Sequence, residues 1–235
     1  MSRRIANNGN KTPLKRIGLF GGTFDPVHMG HLRTAWEVRQ SFGLDQIHLI
    51  PAALPPHKQA RALAPADDRL NMLRTATEKN PKFLVSDIEL KRSGPSYTID
   101  TVHHFKKGLE ANDQLFFILG IDAFVEIDTW KAFEALFDHI EMIVMTRPGA
   151  GGAVPESLFK DLSTYIATKV DPGYRFNQAS GVFEHPAKKA IRLFQVTPLE
   201  ISSTHIRKLV KNGHSIRFLV PEMVAQYIKN KGLYA

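Results

Sequence analysis

Apolar residues recur along the chain in two alternating rhythms. Short, nearly unbroken apolar runs at 17–20, 46–51, 83–88, 115–119, 140–146 and 191–196 have the length of buried strands. Between them, apolar positions spaced three and four apart predict helices over 31–42, 67–80, 97–111, 123–137 and 158–167. Strand followed by helix, repeated, is a βαβ series. It predicts an α/β fold, a doubly wound Rossmann-like parallel sheet with helices on both faces. In that winding the first and fourth strands lie side by side at the switch point, so the loops beginning at Gly21 and Gly120 open on one crevice. Asp67 or Asp68 is expected to cap the second helix and Ser96 the third. Two more helices close the chain, one opened by Ile201-Ser202-Ser203-Thr204 and ended by Asn212-Gly213, the other over 220–233 with Pro221 at its start.

The first strand runs into Gly21-Gly22-Thr23-Phe24-Asp25-Pro26-Val27-His28-Met29-Gly30-His31. Its residue types suit a phosphate chain. Gly21 and Gly22 let backbone N–H groups approach anionic oxygens, Thr23 adds a hydroxyl, and the following helix adds its positive dipole end. His28 and His31 are three apart and share a face on the first helical turn, with Gly30 leaving that face open. Two imidazoles there can donate to a polyphosphate and stabilise charge as a phosphoryl bond breaks. Half of a metal site is the other reading of this pair, but the chain has no cysteine and offers no third ligand nearby.

A second phosphate-type element stands at Ser202-Ser203-Thr204, where one serine caps the helix and the other hydroxyls face outward with the N-terminal amides. Arg207, one turn in, leans back over the same point. Elsewhere the residues alone leave the choice open. Lys58, behind Pro55 and Pro56, reaches a phosphate or stays solvated; Asp122, after Gly120, caps a helix or accepts from a ribose. Arg147, at a strand's carboxyl end, binds an anion or turns a loop. Residues 150–189 read as an irregular excursion without chemistry.

Composition narrows the field. The chain has 235 residues, 43% of them hydrophobic, which suits one sizeable core at 16–235 behind a disordered basic tail at 1–15. No apolar run is long enough for a membrane span, and the tail lacks the apolar core of a secretory signal. The absence of cysteine excludes a disulfide framework and agrees with a cytoplasmic setting. The net charge of +8 sits at the ends: five Lys and Arg without an acid in 1–16, and nine against two acids in 187–235. No RNA-binding aromatic motif or zinc spacing accompanies it, so no nucleic-acid partner is expected, and the charge suits phosphorylated substrates equally well.

GGTFDPVHMGH and ISSTHIR, about 170 residues apart and in this order, resemble the signatures of the nucleotidyltransferase superfamily whose HxGH motif binds ATP. Within it the chain is similar to the bacterial nicotinate-nucleotide adenylyltransferase family, through Pro55-Pro56-His57-Lys58, Pro95-Ser96-Tyr97-Thr98, Leu119-Gly120-Ile121-Asp122, Ile127-Asp128-Thr129-Trp130 and Arg147-Pro148-Gly149. The resemblance implies adenylyl transfer from ATP to nicotinate mononucleotide, with Mg²⁺ bound with the ATP. It implies catalytic roles for His28, His31 and Arg207. ATP binding falls to Gly21, Gly22, Thr23, Phe24, Lys58, Gly120, Asp122, Ser202, Ser203 and Thr204. Acceptor binding falls to Tyr97, Thr98, Trp130 and Arg147, Trp130 offering a flat face for the pyridine ring. Nicotinamide mononucleotide, phosphopantetheine or a flavin nucleotide remain alternative acceptors, a non-catalytic nucleotide or RNA module is the alternative class, and an oligomer is compatible with the sequence.

Overall fold

The computed structural model describes residues 14–53, 63–146 and 156–235, so most of the expected tail, with Lys58 and Arg147, lies outside the described residues. The strands are β1 (Arg16–Gly22), β2 (Gln46–Pro51), β3 (Phe83–Val85), β4 (Gln114–Gly120), β5 (Glu141–Thr146), β6 (Arg175–Asn177), β7 (Val182–Glu184) and β8 (Ile191–Gln195). The helices are α1 (Met29–Ser41), α2 (Ala66–Thr77), α3 (Thr98–Lys106), α4 (Ile121–Phe124), α5 (Phe133–His139), α6 (Glu156–Tyr165), α7 (Ser203–Lys211) and α8 (Glu222–Lys231). The strand order is β3-β2-β1-β4-β5-β8-β7-β6, parallel from β3 to β8. As expected, β1 pairs with β4, in register Gly18↔Phe116 and Phe20↔Ile118.

Alternation along β1 sends Ile17 and Leu19 to one face and Phe20 to the other. On Phe20's face α1, α2, α7 and α8 bury Val38, Met72, Ile206 and Val224; on the opposite face α3, α5 and α6 bury Val102, Phe137 and Leu162. Gly18 is required at the centre, since a Cβ there would lie 2.9 Å from the Ile118 side chain and 3.0 Å from Leu44.

Several local expectations give way. The helix expected over 123–137 is three pieces, α4, a 3₁₀ turn at Ile127–Thr129, and α5, because Trp130 is extended and Ala132 is left-handed at φ 49°. Its apolar spacing persists through the break, which is why periodicity missed it. Pro65, not Asp67 or Asp68, occupies the N-cap of α2, and both acids sit in its first turn. Tyr97 rather than Ser96 occupies the N-cap of α3. The strand expected over 83–88 ends at Val85, where pairing with Leu49 stops. The helix expected over 158–167 becomes α6 followed by a π-helical turn, Ile166–Val170. Inside the excursion, β6 and β7 form an antiparallel hairpin that extends the sheet from β8. Among the described residues, no helix is long and apolar enough to cross a membrane.

Candidate active site

At the carboxyl ends of β1 and β4 the chain builds one end of the crevice around two imidazoles. His28 is the N-cap of α1, in extended backbone, and His31 is the third helical residue. The Nδ1 of each ring accepts the other's backbone N–H, at 3.4 Å (His31 N–H to His28) and 3.3 Å (His28 N–H to His31). This is a capping box made with histidines in place of Ser and Glu. A ring whose Nδ1 accepts carries its proton on Nε2 when neutral, so each Nε2–H is a donor. The rings stack at 3.6 Å with 20° between planes, sharing a face through the cap rather than through a common helical turn. His31 also meets Phe24 edge-on at 5.0 Å.

Gly30 has a different reason from the one expected. A Cβ there would stand 3.0 Å from His28 Nδ1 and 3.1 Å from its Cε1, so the glycine makes room for the ring. Gly21 and Gly22 belong to the end of β1, opposite Ile50 and Pro51, so the turn starts at Thr23. A Cβ on Gly22 would press on the Phe24 ring at 3.0 Å, and Phe24 itself is buried in a left-handed conformation at φ 49°. Gly21 is less crowded, with only Phe117 within 4 Å of a Cβ.

The two signature segments meet in space. Ser202 caps α7, accepting the His205 N–H at 3.1 Å. The Ser203 hydroxyl, expected to face a phosphate, donates instead to the Pro26 carbonyl at 3.0 Å. Arg207 donates from Nη1 to the Asp25 carbonyl at 2.7 Å and from Nη2 to the exposed Thr204 hydroxyl at 3.2 Å. The second helix terminus is thereby fastened to the loop that carries His28.

Three residues that sequence reasoning missed hold this junction. Asp25, 2% exposed, accepts at Oδ1 from the Tyr234 hydroxyl at 2.6 Å and the Ala64 N–H at 3.2 Å, and its Oδ2 lies 3.6 Å from Arg207 Nη1. Arg69, equally buried, donates from Nη1 to the carbonyls of Thr23 and Ala52 at 2.9 and 2.8 Å, and from Nε to Ala64 at 3.1 Å. Burial lowers the Arg69 pKa and the Asp25 charge opposes that; burial, then the bond to Asp25, pushes the Tyr234 hydroxyl well up. The only advance signals were an arginine beside the apolar stripe of α2 and an aspartate inside the first signature.

The other end of the crevice is more open. Gly120 is the N-cap of α4 with empty space around it, and Asp122 is an exposed first-turn acid, not the cap. Thr98 begins α3; the Ser96 hydroxyl, two residues earlier, accepts the Ala53 N–H at 2.8 Å and so ties the loop after β2 to the loop before α3. Trp130 is half-buried, perpendicular to Phe117 at 6.0 Å. Lys131 connects the two segments, its Nζ 4.4 Å above the Tyr97 ring and 3.6 Å from Asp100. Asp128 accepts from the Tyr165 hydroxyl at 2.7 Å, and burial, then this bond, pushes that hydroxyl's pKa up to about 12. The excursion read as chemically empty thus supplies a support for the Trp130 segment.

A family model described as cytidylyltransferase-like matches residues 19–209, from inside β1 to inside α7. A protein of Desulfatibacillum aliphaticivorans described as a probable nicotinate-nucleotide adenylyltransferase is 45% identical over 225 residues, covering 93% of this chain and 99% of its own length. The chain belongs to this adenylyltransferase family. A Pseudomonas fluorescens relative of the same description is 44% identical, with 94% of this chain and 97% of its own covered. Among solved structures, the nicotinic acid mononucleotide adenylyltransferase of Plasmodium falciparum complexed with NaAD shares the fold at a TM-score of 0.67 and 22% identity, over 94% of this chain and 97% of its own. Membership makes this chain a nucleotidyltransferase, and the matched span holds both ends of the crevice.

Proposed function

We propose that the protein transfers an adenylyl group from ATP to nicotinate mononucleotide, giving deamido-NAD and pyrophosphate. An oxygen of the acceptor's 5′-phosphate forms the new bond to the α-phosphorus, and the bond from that phosphorus to the bridging oxygen breaks, pyrophosphate leaving with the electron pair. The attacking oxygen is already anionic, so no base has to remove a proton. The Nε2–H donors of His28 and His31 and the Arg207 guanidinium stabilise the charge that develops, and Gly21, Gly22, Thr23, Phe24 and the α7 terminus cradle the triphosphate. Tyr97, Thr98 and Trp130 form the acceptor end, with Gly120 and Asp122 beside the ribose. The observation that carries this reading is the junction of the two signatures, Ser203 on Pro26 and Arg207 on Asp25, beside a pair of stacked imidazoles.

Among the described residues, no group of three or more His, Asp or Glu could hold a metal ion. In this reading Mg²⁺ comes in on the triphosphate rather than in a protein cage. Bound there, the ion neutralises phosphate charge.

The acid form of the acceptor follows from the relatives' descriptions and from the name of the structural neighbour. The test is pyrophosphate release with ATP and Mg²⁺, offering nicotinate mononucleotide and its amide in parallel. Turnover of the acid in preference is the expected result. Turnover of the amide alone overturns the acceptor, and ATP binding without turnover of either overturns the reaction.

A further inference from the structure

The Tyr234 hydroxyl lies outside both signatures, yet it reaches the first of them. It donates to Asp25 Oδ1 at 2.6 Å, and the Ala64 N–H donates to the same oxygen at 3.2 Å. Oδ2 is buried without a hydrogen-bond partner and faces Arg207 Nη1 at 3.6 Å, beyond ordinary hydrogen-bond length. Arg207 Nη1 gives its short bond to the Asp25 backbone carbonyl, and Nη2 points to the exposed Thr204 hydroxyl in the first turn of α7. The carboxylate therefore attracts the guanidinium without capturing it.

We infer that Tyr234 is a positioning residue for adenylyl transfer: by holding one Asp25 oxygen, it keeps the carboxylate from closing on Arg207 and leaves the guanidinium aimed at the phosphates. This inference rests on the role proposed for Arg207. A carboxylate with two donors on one oxygen has part of its charge engaged; remove one donor and the cation that pairs with it among the described residues, 3.6 Å away, is the group that replaces it. Arg69 is committed to the carbonyls of Thr23, Ala52 and Ala64 and cannot turn to help. Burial keeps the Tyr234 hydroxyl protonated, and so a donor, throughout the range in which the enzyme would be assayed.

Tyr227 provides a built-in control. Its hydroxyl donates to Asp68 at 2.7 Å, a tyrosine–aspartate tie of the same kind on the same closing segment, between α8 and α2 and with no link to Arg207.

The experiment compares Y234F, Y227F, R207K and Y234F/R207K by pyrophosphate release, KM for nicotinate mononucleotide, and thermal melting. Y234F is expected to lower kcat about tenfold with KM changed less than twofold, and Y227F to leave kcat unchanged. In the R207K background, Y234F is expected to cost no more than twofold, because the group it acts through is already impaired. Replacing Tyr234 by 4-aminophenylalanine, which still donates, is expected to restore kcat; this variant retains the tie and keeps the test readable if Y234F melts too low to assay. An undiminished kcat in Y234F, or a tenfold loss that recurs in full on R207K, overturns the inference while leaving Arg207's role intact. An R207K enzyme as fast as the parent overturns both.

Discussion

The two ends of the crevice are built on opposite plans. At the phosphate end, nearly every polar group is spoken for: the imidazoles cap each other's backbone, Ser203 and Arg207 close on Pro26 and Asp25, and Arg69 gathers carbonyls from two loops. At the other end, where the proposed acceptor residues stand, Trp130 packs edge-on against one ring, Asp122 is exposed, and Gly120 has no neighbour within reach of a Cβ. The first end fixes donors before any ligand arrives, which is what stabilising a transition state demands. The second offers a surface and leaves the fit to the acceptor. Substitutions at the first should act on kcat, and those at the second on KM.

The largest effect is expected from H31A, a fall in kcat of about 10²–10³-fold, with the melting temperature moved by only a few degrees; pyrophosphate release and calorimetry together check it. A kcat within threefold of the parent in a folded H31A would end the histidine role. Gly30→Ala separates geometry from stability more cleanly. Alanine favours the helix by up to about 1 kcal/mol, but its Cβ forces the His28 ring to move by tenths of an ångström, so an enzyme at least as stable and about tenfold slower is expected. At the other end, Trp130→Ala is expected to raise KM for the acceptor about tenfold with kcat nearly constant. Y165F, which releases Asp128, should raise the same KM two- to threefold and cost about 1 kcal/mol of stability in urea.

How far the sequence reached follows the same division. The strand that ends in Gly21-Gly22, the neighbouring β4, and the two helix starts were readable because glycine, hydroxyl and apolar spacing each signal a local backbone event. The junction between them was not readable. Asp25, Arg69 and Tyr234 meet through bonds spanning up to 209 residues, and no local pattern encodes a partner so distant. The acceptor end defeated periodicity for a different reason: Ala132 turns left-handed inside an apolar repeat that continues undisturbed on either side. The hairpin of β6 and β7 escaped because three-residue strands are too short to show alternation.

A pH effect on stability bounds the range in which these comparisons can be read. Burial lowers the pKa of His48, on β2 against Phe105, from 6.5 to about 4. As pH falls, the unfolded chain takes up that proton first. The His48 contribution to stability is therefore fully present above pH 6.5 and is lost from there to about pH 4, by at most about 1.4 kcal/mol per pH unit. Melting curves at pH 8, 6, 5 and 4 should follow that course, and His48→Gln should flatten it; a flat parent curve would refute the burial argument. Rate profiles for His28 and His31 belong above pH 6.5.

The reach of the Tyr234–Asp25 bond also has a kinetic meaning. Closing a loop of 209 residues costs about 2 kcal/mol more in chain entropy than closing the 29 residues between Asp45 and Arg16, so the β1–β2 corner can form long before the phosphate end does. All eight strands among the described residues precede Tyr234 in the chain, so during synthesis the residues of the sheet emerge before this partner of Asp25. Full turnover is then expected to lag behind secondary structure, so refolding followed by circular dichroism should run ahead of the last, roughly tenfold, rise in refolding followed by turnover.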